Sequence, residues 1–296
     1  MTSSEQAIIE SVVRSDWKSV TAIVENLLRR APEKQQEWAQ KKLNELTAQR
    51  SMKILPPNLQ NILEVSHAED FDTSLFYLRA DDVKTAENVI RAYKAAEKLS
   101  ALGLRYLPSA LLCGNPGTGK TELAKYIAYR LNVPFAYVRF SYLIGSLLGS
   151  TASNIAKIMD FVKSFDCVLC LDELDAIGMA RGNNQEVGEM NRIVISLMQE
   201  IDALPNNVII IGATNRPDCL DAALKSRFSQ TYEVKALDMQ DAYNVASMLY
   251  RKAGIEADSL HDDIERNYPD GASAREIIHT YTQKIAEEII KEENWS

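Results

Sequence analysis

The sequence predicts an α/β fold: a parallel sheet covered by helices on both faces, with a helical segment before it and a small all-helical unit after it. Three observations carry this. Short apolar, strand-like segments alternate with helical ones between residues 81 and 236, the order that buries a parallel sheet between helix layers. A glycine-rich run, Gly114-Asn-Pro-Gly-Thr-Gly-Lys-Thr121, falls between one of those strands and the next helix. Beyond Lys235 no strand signal remains. With 296 residues, 46% hydrophobic and 25% charged, the chain has the composition of an ordinary globular protein and can fill a sizeable core.

In order along the chain, residues 4–50 read as helical, because Ile8, Ile9, Val12, Val13, Val20, Ile23, Val24, Leu27 and Leu28 recur at three-four spacing. Ser15-Asp16 can cap a helix from Trp17, and Pro32 can open another through Leu46. Pro56-Pro57 punctuates a less regular stretch to about Ala80. A helix from Val83 to Leu102, closed by Gly103, leads into the strand Ala110–Cys113. Glu122–Leu131 is the helix behind the glycine run. Strands follow at Phe135–Phe140, Cys167–Leu171, Val208–Gly212 and Thr231–Val234, with helices at 152–164 and 188–203 between them. Asp238–Ala253, Leu260–Asn267 and Ser273–Ile290 are helices. The expected division is an N-terminal helical segment over 1–80, a nucleotide-binding α/β domain over 81–236, and a small helical domain over 237–296.

The glycine run carries the chemistry. Gly114, Gly119, Lys120 and Thr121 fill the fixed positions of G-x-x-x-x-G-K-[ST], the phosphate-loop pattern. A phosphate needs donors on several sides at once, and a loop of small residues can turn its backbone N–H groups inward to supply them. The whole run, Asn115, Pro116, Gly117 and Thr118 included, is therefore expected to hold ATP. Lys120 would reach the β- and γ-phosphates, and Thr121 would hold a Mg²⁺ ion. A second apolar strand ends in Asp172-Glu173. There Asp172 would order the Mg²⁺ shell and Glu173 would polarise the attacking water. Val208–Thr214 ends in Asn215, whose amide can both donate and accept. On its own segment Asn215 reads first as a turn residue before Arg216-Pro217.

Other features mark classes the chain does not favour. Cys167-x-x-Cys170 has metal spacing, but residues three apart on a strand point to opposite faces, and none of His67, His261 and His279 has ligand spacing to the pair. Buried structural cysteines are the expectation. The net charge of −8 argues against general nucleic-acid affinity. Charge is uneven, with nine Lys/Arg against seven Asp/Glu over residues 1–60 and six against thirteen over 237–296. No apolar run reaches the length of a membrane span and the polar N-terminus has no signal-like core, so a cytoplasmic protein with no membrane partner is expected.

Taken together, Gly114–Thr121, Leu171-Asp-Glu-Leu-Asp-Ala-Ile-Gly178, Gly212-Ala-Thr-Asn-Arg-Pro-Asp218, Leu220-Asp-Ala-Ala-Leu224 and Arg227-Phe228 resemble an AAA+ ATPase. The resemblance is closest to the classical AAA clade of FtsH-like proteases, proteasomal ATPases and the Cdc-forty-eight type. It covers roughly 81–296 and leaves 1–80 outside. It implies a P-loop NTPase αβα sandwich with a five-stranded parallel sheet, a C-terminal helical lid, and a homo-oligomer, usually a hexameric ring, with ATP between neighbours. It makes Lys120 and Thr121 Walker A, Asp172 and Glu173 Walker B, and Asn215 sensor 1. Arg227 falls at the arginine-finger position, where a guanidinium offsets charge on a neighbour's γ-phosphate. Arg275, opening a helix after Gly271-Ala-Ser-Ala, matches sensor 2 and would touch the nucleotide of its own subunit.

The chain departs from the clade twice. Gln230 stands where a second arginine is common. The pore-loop stretch is Ser146-Leu147-Leu148-Gly149, without the usual aromatic that grips an extended chain. His-Glu-x-x-His does not occur in the 296 residues. The first functional reading is an ATPase that remodels a macromolecule, with protein as the client. The alternatives are a nucleic-acid-transaction factor, such as a loader or a phage or mobile-element switch, and an ATP-gated assembly scaffold.

Overall fold

A computed structural model describes residues 55–57, 59–145, 151–179, 186–257 and 259–292. The helices expected before residue 50 and the pore-loop stretch Ser146–Gly149 lie outside the described residues.

The elements run β1 (Glu64–Ser66), α1 (Ala80–Ala101), β2 (Ser109–Cys113), α2 (Lys120–Leu131), β3 (Phe135–Arg139), α3 (Phe140–Gly145), α4 (Thr151–Val162), β4 (Cys167–Asp172), α5 (Asp175–Met179), α6 (Glu186–Asp202), β5 (Val208–Thr214), α7 (Ala222–Lys225), β6 (Gln230–Glu233), α8 (Met239–Ala253), α9 (Leu260–Asn267) and α10 (Ala274–Glu292). The sheet order is β1-β3-β4-β5-β2-β6. The five expected strands pair in parallel, and β1 adds a sixth, antiparallel one on β3. The count of five strands is therefore corrected to six. Three residues are too few to show an alternating pattern, so only the long-range pairing Val65↔Ala136 reveals this strand.

Alternation along each strand divides the core. Leu111, Val138, Leu169 and Ile210 face one layer, with Ile158, Met159, Ile193 and Leu197 of α4 and α6. Ala110, Leu112, Val168, Cys170, Ile209 and Ile211 face the other, with Val89, Ile90, Leu123 and Ile127 of α1 and α2. Because both faces are covered, β2 and β5 are buried at every residue, which is why they read as unbroken apolar runs. Cys167 and Cys170 fall in opposite layers, and both thiols are buried. A third cluster, with Leu237, Val245, Tyr250, Ile264, Ile277 and Tyr281, holds α8–α10 together.

Close approach forces glycine at positions 212 and 114, among others. Gly212, in the middle of β5, would push an added Cβ to 2.7 Å from the Phe228 ring and 2.8 Å from Leu174. Gly114, just after β2, has φ +152° and would set a Cβ 2.2 Å from the Val234 carbonyl oxygen. The chain thus turns out of the sheet under the β6 backbone, and only hydrogen at Cα fits there.

Candidate functional site

The strand order places β4, β5 and β2 side by side, so the residues after their carboxyl ends meet along one edge. This is where a ligand sits in open α/β sheets. Gly114 follows β2 and Asn215 follows β5, and Asp172 ends β4 with Glu173 just beyond. A cleft of about 1020 Å³ opens over this edge, lined among others by Gly117, Lys120, Thr121, Asp172, Asn215 and Arg275.

Lys120 is buried at the first position of α2, behind Gly119 with φ +99°. Its ammonium donates to the Gly114 carbonyl at 2.8 Å, the Asn115 carbonyl at 2.9 Å and Asn215 Oδ1 at 2.8 Å. None of these acceptors carries a full charge, so the cation is held in place without being neutralised. That arrangement suits an incoming phosphate. Burial holds the Lys120 ammonium below its ordinary pKa, against the carboxylates of Asp172 and Asp175, which favour the charged form. Gly117 and Gly119 both have positive φ, and the α2 N-terminus opens into the same space.

The Thr121 hydroxyl donates to Asp172 Oδ2 at 2.7 Å, and the Glu173 N–H donates to Asp172 Oδ1 at 2.8 Å. A hydroxyl and a carboxylate in contact beside a phosphate cradle are hard oxygen donors of the kind Mg²⁺ takes, so the residues present fit that ion. Glu173 has a left-handed backbone, φ 58°, which swings its side chain away from the strand direction. Its carboxylate accepts from the Ser141 hydroxyl and lies 4.0 Å from Arg139 Nε.

Asp175, quoted in the motif but given no role from sequence, orients the neighbouring strand end. It is buried, and its Oδ1 accepts from the Thr214 hydroxyl at 2.9 Å and from the Asn215 N–H at 3.0 Å. An acid set among the apolar Leu174, Ala176 and Ile177 is the signal that could have found it, since an acid carried into the core needs partners. Ser141, Arg139 and Tyr137 had no such signal, being single polar residues on or just after an apolar strand.

The structure brings Lys120, Thr121, Asp172, Glu173 and Asn215 together, with Arg275 at the rim. The Arg275 N–H donates to the Gly117 carbonyl at 3.1 Å, so α10 begins against the cradle. Arg227 is elsewhere. Its carbonyl accepts from Ser109 at the opposite, amino end of β2, roughly 13 Å of strand from the cradle. Its guanidinium forks onto Asp202, Nε at 3.2 Å and Nη2 at 3.0 Å. Cys113, buried just before the cradle, has its thiol pushed up by desolvation, which keeps it protonated and inert. Among the described residues no helix is long and apolar enough to cross a membrane.

Comparison with known proteins accords with this edge. Residues 110–236 match the model of the ATPase family associated with various cellular activities (AAA). "Uncharacterized AAA family ATPase y4kL" of Sinorhizobium fredii is 34% identical over 216 residues, 72% of this chain and 64% of that protein. "ATP-dependent zinc metalloprotease FtsH" of Parabacteroides distasonis is 33% identical over 208 residues, 68% of this chain and 30% of that protein. "Peroxisomal ATPase PEX6" of Candida glabrata is 35% identical over 182 residues, 58% of this chain and 18% of that protein. The chain thus spans less than two thirds of each of these relatives. With the glycine-rich loop, the strand-end acids and the strand-end amide all inside the matched region, residues 110–236 form a domain of the AAA family of ATPases.

Proposed function

We propose that this chain hydrolyses ATP at the cleft over Gly114–Thr121 and works as a homo-oligomeric ring, hexameric by family resemblance, that remodels a protein client. The observation that carries the reading is the convergence of Lys120, Thr121, Asp172, Glu173 and Asn215, drawn from α2 and the ends of β4 and β5, on one sheet edge. Asn115, Pro116, Gly117 and Thr118 complete the loop that would cradle the phosphates with backbone N–H groups. Lys120 offsets phosphate charge, and Asn215, fixed by Asp175, sits where it can hold a water or a γ-phosphate oxygen. Thr121 and Asp172 would hold Mg²⁺, which when bound neutralises charge on the phosphate oxygens. Glu173 takes the proton of the attacking water as general base.

Arg227 supports the ring part of the reading. It lies outside the cleft of its own chain, as a residue that completes a neighbour's site must. Residues 237–296 act as the lid, with Arg275 at its hinge on the cradle, and 1–80 as the N-terminal segment. A protein client follows the relatives named as a protease and a peroxisomal ATPase, and a cytoplasmic location goes with it.

The test is Glu173→Gln. It should keep ATP binding and lose at least roughly 10²-fold in turnover, the size of a general-base contribution. Loaded with ATP and stalled, the same variant should retain protein clients in a pull-down. Near-normal phosphate release by this variant would remove Glu173 from the role and the reading with it.

A further inference from the structure

Asp172 is held by more than the Thr121 hydroxyl. Its Oδ2 also accepts from the Tyr137 hydroxyl at 3.2 Å, across the strand pair in which Tyr137 stands opposite Cys170 and Arg139 opposite Asp172. Tyr137 in turn accepts from Arg139 Nε at 3.4 Å. Tyr137 and Arg139 are two apart on β3 and so share a face. The Arg139 guanidinium stands 5.8 Å from the Tyr137 ring centroid and 4.7 Å from that of Tyr142, within cation–π range of both. Guanidinium, phenol and carboxylate therefore form a directed chain in which each donor points toward the acid.

The Tyr137 hydroxyl accepts from Arg139 and directs its own proton to Asp172 Oδ2, so it is the donor of the pair. The geometry also separates the donors by task. Thr121 is the hydroxyl that would turn to a cation. Tyr137 and the Glu173 N–H are then the donors left to keep the Asp172 carboxylate in its orientation.

We propose that Tyr137 is a positioning residue for Asp172, held in place by Arg139, and that its hydroxyl sets how well the site takes Mg²⁺ with ATP. This rests on the reading that Asp172 and Thr121 hold the ion. The experiment is calorimetric titration with a slowly hydrolysed ATP analogue, with and without Mg²⁺, on the full chain and on Tyr137→Phe, Asp172→Asn and Tyr137→Phe/Arg139→Gln. Tyr137→Phe should keep the Mg²⁺-free affinity and lose about threefold to tenfold of the Mg²⁺-dependent gain, the net worth of one ordinary hydrogen bond, as suits a contact as long as 3.2 Å. The double variant should lose little more than the single, because the two residues act through one contact.

If Asp172→Asn abolishes the gain while Tyr137→Phe matches wild type, the positioning role falls and the site reading stands. If Asp172→Asn also keeps the gain, both fall. An equal drop in affinity with and without Mg²⁺ in Tyr137→Phe would mark a merely structural contact and overturn the proposal.

Discussion

Single residues at the sheet edge act through the contacts that fix them. Asn215 is the clearest case: its side chain accepts from Lys120, and its backbone N–H is pinned to Asp175, which also takes the Thr214 hydroxyl. Asp175→Ala should leave one buried donor, the Thr214 hydroxyl, and one partly buried donor, the Asn215 N–H, unpaired and cost about 1–3 kcal/mol. Turnover should fall as well, since Asn215 loses its anchor. Asp175→Asn keeps an acceptor at Oδ1 and should recover most of the stability. Urea midpoints at unchanged m, read beside phosphate release, check this; an Asp175→Ala variant as stable as wild type would sink the anchor role. From sequence, Lys120 and Thr121 could be named because their pattern lies within eight consecutive residues. Asp175 could be quoted but not assigned, because its partners stand 39 and 40 residues away.

Elements decide which side chains meet the cleft's outer lip. The segment between β1 and α1 crosses to α8: the Tyr77 hydroxyl donates to Asp241 at 2.8 Å and accepts from Asn244 at 2.9 Å, and Lys252 pairs with Asp72 at 2.6 Å. The bond from Lys252, with those from Ser74, brings Asp72 down from 3.8 to about 2. A folded pKa below the ordinary value means stability that is present above pH 3.8 and lost as the pH falls toward about 2. Asp72 is exposed, so the effect is small. Asp72→Asn should lower the thermal midpoint slightly near pH 6, and its gap to wild type should shrink once the pH drops below 3.8. A gap that stays constant down to about pH 3 would show that the Asp72 charge contributes nothing. None of this was legible in the sequence, where 57–80 shows neither periodicity nor motif; the contacts exist because β1 pairs on β3 and brings the segment alongside α8.

At the scale of the molecule, the question is whether Arg227 serves a neighbour. Within one chain it is tied to Asp202 and separated from the cradle by the length of β2. We expect Arg227→Ala to bind ATP nearly as wild type and to hydrolyse it slowly, because the missing charge matters chiefly as the γ-phosphate leaves. Mixing Arg227→Ala with Glu173→Gln should then restore part of the activity, since some interfaces of a mixed ring pair an intact Glu173 with an intact Arg227. Under conditions shown to permit subunit exchange, a mixture no more active than its components would count against the finger and the ring together.

By itself the sequence determined the fold class and the parallel strands, and it singled out Lys120, Thr121, Asp172, Glu173 and Asn215 among the residues that meet at the cleft. Those signals are local: a strand buried on both faces is a short apolar run, and a phosphate loop is a strand, a turn and a helix start in succession. Only the tertiary structure decided the antiparallel strand β1, the pinning of Asn215 by Asp175, the Tyr137–Arg139 contact behind Asp172 and the tie of Arg227 to Asp202. Each joins residues brought together by the strand order β1-β3-β4-β5-β2-β6. Local pattern does not encode that order, because the loop-closure and packing terms that select it are summed over the whole chain.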